Sequence, residues 1–178
     1  KVVFYNYSEV GKNEVSRIVG GFNCREDGIA GCIDFVDNET VVAYTNDVVS
    51  IYEVKEKPKL VEEIELGADI QSVLYNEEYI GVVILDDDYE LPKKLIVYDK
   101  SAKVIMKKNF DFDYEDMVIT SEAIVLYNKD EMMLWTLSGR QRFYGDIDEG
   151  IEKLVVTEEV NRFYIINAEF DIMDVELD

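Results

Sequence analysis

Histidine is absent from the 178-residue sequence. Its absence excludes Ser-His-Asp and Cys-His nucleophile pairs and every His-ligated metal site. Cysteine occurs twice, at Cys24 and Cys32, flanking a loop that contains Gly28 and Gly31. In an exported chain the two can pair and staple that loop; as two ordinary thiols they simply pack. Bases are scarce: 18 Lys and Arg against 39 Asp and Glu leave a formal net charge of −21. That balance speaks against nucleic acid or an anionic membrane surface as a direct partner. Basic proteins, cationic peptides and metal ions remain compatible, and a solvated, aggregation-resistant surface accounts for the same charge. No apolar run approaches the ~18 residues of a membrane span. No signal peptide is present, and Lys1 opens directly into a strand-like run, as a cut inside a longer protein would. Any targeting or anchoring segment would then lie upstream. Sustained 3.6-residue stripes, low-complexity segments and flexible linkers are missing too, so no domain boundary falls inside the chain.

What is present is a recurring β unit. Hydrophobic content of 48%, with 12% aromatics, argues against disorder. From Leu95 to Met106, apolar residues alternate on either side of the polar turn Asp99-Lys100-Ser101-Ala102, the pattern of two antiparallel strands. The same signature returns around Tyr52, Trp135 and Met173, so that Tyr52, Tyr98, Trp135 and Met173 are separated by 46, 37 and 38 residues. A second set, Val42, Val82, Val125 and Tyr164, is separated by 40, 43 and 39. A period of about 40 residues is the span of a four-stranded propeller blade.

The expected fold is therefore all-β, a partial β-propeller of about four antiparallel four-stranded blades. The strand-like runs divide it into a partial blade over 1–22, blades over 29–67, 70–110 and 117–147, and a partial blade over 151–178. The acidic stretch 86–92 is an insertion that lengthens the second blade.

Acidic runs supply the candidate chemistry. In Asp111-Phe112-Asp113-Tyr114-Glu115-Asp116 an extended backbone places Asp111, Asp113 and Glu115 on one face, where three carboxylates offer oxygen ligands to a hard cation such as calcium. The run lacks the glycine and distal glutamate of an EF-hand, and a solvated loop between blades accounts for it equally. Asp86-Asp87-Asp88 and Asp146-Ile147-Asp148-Glu149 also fall in connections. Two carboxylates about 5–10 Å apart would serve a glycosidase, although spacing in sequence places no such pair. The 12 tyrosines and the single tryptophan, Trp135, fall mostly at alternating strand positions and read as packing between blades. Neither Gly20-Gly21 nor the Gly139 turn opens a phosphate-binding helix.

At Phe4-Tyr5-Asn6, Glu9-Val10-Gly11, Asn13-Glu14, Arg17 to Phe22, Lys55 to Pro58, Tyr79-Ile80-Gly81 and Phe110 to Tyr114, the chain resembles an uncharacterised family of bacterial propeller proteins, mostly from Gram-positive anaerobes. The resemblance covers most of the chain. It implies a single N-terminal membrane anchor followed by a larger WD40-like or quinoprotein-like propeller, of which this chain would be the C-terminal half. It implies no activity, cofactor or catalytic residue.

The expected role is a non-catalytic binding or scaffolding module on the outer side of the cytoplasmic membrane, with a protein or peptide partner, basic in character. Self-association through open blade edges is a further expectation. The alternative is a polysaccharide hydrolase or lyase that uses the loop carboxylates.

Overall fold

A computed structural model describes residues 2–5, 18–22, 31–55, 58–86, 90–157, 159 and 162–176. Cys24, Asp87 and Asp88 lie outside these residues.

Among the described residues, seventeen strands form five antiparallel sheets. The first sheet pairs β1 (Val2–Tyr5) with β2 (Ile18–Phe22). The second is a meander of β3 (Cys32–Phe35), β4 (Thr40–Tyr44), β5 (Val48–Val54) and β6 (Pro58–Glu65). The third contains β7 (Ile70–Tyr75), β8 (Tyr79–Leu85), β9 (Lys93–Asp99) and β10 (Val104–Phe110). The fourth contains β11 (Asp116–Ile119), β12 (Ala123–Tyr127), β13 (Glu131–Thr136) and β14 (Gln141–Asp146). The fifth contains, among the described residues, β15 (Lys153–Val156), β16 (Arg162–Ile166) and β17 (Ile172–Glu176).

The middle strands of the complete sheets are apolar on both faces because both faces are covered. β8 carries an unbroken buried run from Ile80 to Ile84, and β12 is buried throughout. In β8, Ile80, Val82 and Ile84 meet Val42, Tyr44 and Ile51 of the second sheet, while Val83 turns towards Ile124, Leu126 and Trp135 of the fourth. Alternate residues of β12, Ala123, Val125 and Tyr127, meet Leu154, Phe163 and Ile165 of the fifth sheet. Each interface between sheets is thus a core of its own.

The aromatic anchors keep their phase. Tyr52, Tyr98, Trp135 and Met173 each face the preceding sheet. Beside the three aromatics the fourth strand carries one extra residue, Val61, Ile105 and Arg142 respectively, a bulge repeated at the same place in each complete sheet. The second set of anchors needs one correction. Val42 and Val125 face the following sheet but Val82 faces the preceding one, so the structural counterpart is Val83. Neighbouring valines on a strand buried from both sides are indistinguishable by hydropathy, and a one-residue slip exchanges the faces.

Short polar side chains hold the turns. Asp99 Oδ1 accepts from Ser101 N at 2.9 Å, Ser101 Oγ at 2.6 Å and Lys103 N at 3.0 Å, while Ala102 takes a left-handed φ of 66°. Asn76, Asn128 and Asn167 accept from backbone amides two to four residues ahead in the same manner.

Two predictions follow from the packing and the turns. A Cβ on Gly81 would lie 2.3 Å from Leu74 Cδ2 and 2.8 Å from its Cγ, so Gly81→Ala should destabilise by about 1–3 kcal/mol in urea unfolding. Adding Leu74→Ala should make the double variant's loss smaller than the sum of the two. Asp37 accepts from Lys100 Nζ at 2.5 Å and from Glu39 N at 2.8 Å, a tie between the second and third sheets. The Lys100 hydrogen bond is the main cause that lowers its pKa from 3.8 to about 2. Since the folded value is depressed, this stabilisation is complete above about pH 4 and disappears as pH falls towards 2. Urea unfolding at several pH values should therefore show a shallower acid loss for Asp37→Asn than for the parent chain.

Candidate binding face

In an antiparallel meander, successive connections alternate between the two ends of the sheet. Contacts between sheets align these ends along the whole stack. Leu66 N and Ile70 N donate to Asp47 O and Asn46 O. Lys93 Nζ donates to Phe112 O, Asn128 Nδ2 to Asp113 O, and Ile147 N and Ile151 N to Asp130 O and Lys129 O. The connections 45–47, 66–69, 111–115, 128–130 and 147–152, with residues 86 and 90–92, therefore share one end. The connections 36–39, 76–78, 100–103, 120–122 and 137–140 share the other.

The two ends differ in charge. Every connection at the first end carries an acid: Asp47, Asp69, Asp86, the set Asp111, Asp113 and Glu115, Asp130, and the pair Asp148 and Glu149. Lys129 is the one base in them among the described residues. At the opposite end Lys100, Lys103 and Arg140 offset part of the charge of Asp37, Glu39, Glu77, Glu78 and Glu122, so this end is the less acidic of the two. Acids spread along the sequence thus converge because the meander returns alternate turns to one side.

Two recesses open at this acidic end. A cleft of about 270 Å³ between the third and fourth sheets has Val83 and Leu85 as its apolar wall, with Gln71, Ser72, Lys93, Asp113, Tyr114 and Glu115 as polar groups. A second, about 420 Å³, lies beside Gly31, Thr45, Asn46, Asp69 and Ile70, and Gln71 lines both. Tyr114 OH donates to Ser72 Oγ at 2.8 Å across the first cleft. Lys93 Nζ spans its mouth, 2.6 Å from Asp113 Oδ1 and 3.1 Å from Phe112 O. That hydrogen bond, and then the lysine charge, holds the Asp113 carboxyl below its ordinary pKa.

The run from Asp111 to Glu115 alternates as expected, although it lies between strands. Phe112 is buried and packs edge-on against Tyr144 at 5.9 Å, and Asp111, Asp113 and Glu115 are exposed. They share the solvent side, but among the described residues no group of three or more Cys, Asp or Glu is arranged to hold a metal ion. Asp86 and the segment from Asp146 to Glu149 lie at the same end. Sequence reasoning missed Lys93, Ser72 and Gln71, which are ordinary polar residues at strand positions with no motif to mark them. Cys32 is a free thiol that donates to Asp34 Oδ2 at 3.1 Å.

The described clefts offer polar and apolar binding contacts. Each described carboxylate whose pKa departs clearly from its ordinary value is lowered, as at Asp37, Asp99, Asp113 and Asp174.

A family model of a family of unknown function, DUF5711, matches residues 1–177. The chain belongs to this family. No curated protein matches this DUF5711 chain. Among solved structures it is similar to the propeller Hsv2 of Kluyveromyces marxianus, with a TM-score of 0.63 and 11% identity over 92% of this chain and 51% of that one. It is also similar to BBS1N, solved in complex with ARL6DN (TM-score 0.58, 11% identity, 90% of this chain and 56% of that one). The propeller BamB of Moraxella catarrhalis has a TM-score of 0.53 at 10% identity, over 94% of this chain and 46% of that one. The DUF5711 chain thus spans about half the length of these three structures. At such identities the likeness establishes the propeller fold alone.

The Lys93 contact is directly measurable. In Lys93→Met the Asp113 carboxyl should lose its main stabilising partner and titrate at a higher pH than in the parent chain, read from its carboxyl NMR shift.

Proposed function

We propose that the DUF5711 chain is a non-catalytic binding or scaffolding propeller whose acidic end receives a Lys- or Arg-rich segment of a partner protein. The one-sided distribution of acidic connections carries this reading. A concentrated field of one sign raises the local concentration of an oppositely charged segment and speeds encounter. The clefts beside Gln71 provide places where an aliphatic stem meets Val83 and Leu85 while its charged end meets Glu115. Similarity to BBS1N, itself solved with a protein partner, supports protein ligands in general. The resemblance read from the sequence adds display on the outer side of the cytoplasmic membrane through an anchor outside this sequence.

Fluorescence anisotropy with a labelled lysine-rich peptide tests the reading. Binding should weaken with added salt, and Asp111→Asn, Glu115→Gln and Asp130→Asn together should weaken it about tenfold or more. Neutralising Glu77, Glu78 and Glu122 at the opposite end should change it little. Equal losses from both ends would reduce the effect to net charge, and absence of binding at low salt would sink the proposal.

A further inference from the structure

The repeat breaks at one place inside the stack. In the second and fourth sheets the second strand ends on a buried tyrosine that faces the following sheet, Tyr44 at 2% exposure and Tyr127 at 3%. Each pairs in register with a buried apolar residue of the third strand, Val49 and Met132. At the same position of the third sheet stand Leu85 and Lys93, also paired in register. Leu85 lies two residues beyond Val83, as Tyr44 lies beyond Val42 and Tyr127 beyond Val125, yet it is 51% exposed. The third sheet has no phenol ring on this side of its junction with the fourth. The cleft of about 270 Å³ lies there, with Val83 and Leu85 as its wall.

Two further departures fall on the same spot. β7 carries an extra residue, Gln71, opposite β8, whereas β3, β11 and β15 pair with their second strands without a shift. Gln71 lines the cleft, and a bulge beside a recess re-aims the side chain it carries. The connection numbered 86–92 is seven residues long in the sequence, while 45–47 and 128–130 are three. A local rule kept in the second and fourth sheets and broken in three ways at one junction marks a site rather than a packing fault.

The neighbouring junction shows what such a cleft accommodates. Between the fourth and fifth sheets the ring of Tyr127 fills the equivalent place, and its hydroxyl donates to Asp116 Oδ2 at 2.9 Å and accepts from Leu154 N at 3.4 Å. We infer that the cleft between the third and fourth sheets receives an aromatic side chain of the partner segment, which completes this junction as Tyr44 and Tyr127 complete theirs. The inference rests on the reading of the acidic end as the receiver of a Lys- or Arg-rich segment, and it names the residue that anchors that segment. The ring lies on Val83 and Leu85, with Gln71 and Ser72 as polar groups for a tyrosine hydroxyl and the Lys93 ammonium beside its face. Basic residues on either side of it meet Asp111, Glu115 and Asp130. A volume below about 300 Å³ suits one side chain better than a whole small molecule. Aromatic rings seated in such pockets carry a large share of interface energy.

Fluorescence anisotropy on the whole chain, with labelled lysine-rich peptides that differ only in a central tyrosine, leucine or alanine, tests the inference. The tyrosine peptide should bind about tenfold more tightly than the alanine peptide, with leucine between them. Leu85→Tyr restores the repeat and fills the cleft from within, so it should bring the three affinities together while the urea midpoint stays no lower than that of the parent chain. On the parent chain the tyrosine ring protons should show nuclear Overhauser effects to the Val83 and Leu85 methyls, a readout that needs no variant. Equal affinities on the parent chain, a tyrosine preference that survives Leu85→Tyr, or ring contacts to other methyls only would each overturn the inference and leave the electrostatic reading of the acidic end standing. Failure of every peptide to bind at low salt overturns both.

Discussion

A sheet that is apolar on both faces has no stable existence alone. In this chain that constraint applies to each complete sheet, because β4 and β5, β8 and β9, and β12 and β13 are buried from both sides. Stability resides in the contacts between successive sheets, and each sheet supports only its neighbours. Trp135 illustrates the dependence: it belongs to the fourth sheet, yet its ring lies 5.4 Å from Phe110 of the third, edge to face. Burial of one large aromatic contributes about 1.5–3 kcal/mol, so such an interface is substantial before its other side chains are considered. The paired acid and base at Asp37 and Lys100, and at Asp116 and Lys153, add ties between neighbouring sheets at their rims.

The fold was legible in the sequence because the strands differ by position. Middle strands such as Ala123-Ile124-Val125-Leu126-Tyr127 are continuous apolar runs, and fourth strands such as Pro58 to Glu65 are largely exposed and charged. Their alternation every forty residues, with Asp, Asn or Thr at the turns, leaves little room for another architecture. Phase was harder to read. Tyr52, Tyr98 and Trp135 are distinctive and held their register, but Val82 and Val83 are chemically alike and only packing separates their faces.

The site was legible only in outline. Asp111, Asp113 and Glu115 announce themselves by charge, and alternation placed them correctly on the solvent side. Their principal neighbour did not announce itself: Lys93 is about twenty residues away in sequence and meets Asp113 only because β9 begins where β10 ends. The convergence of separate acidic runs at one end is likewise a property of the meander. Local patterns carry no information about which turns will share an end until strand number and order are known.

The acidic end also gives the molecule an orientation in an external field. Backbone dipoles in antiparallel strands largely cancel, so the unequal charge of the described connections at the two ends gives an electric asymmetry along the strands. Beside a negatively charged surface this asymmetry produces a torque that turns the acidic connections outward, within the ~8 Å reach allowed by physiological salt. The strand meander, by sorting its turns, thus gives the two ends of the stack different answers to the same external field.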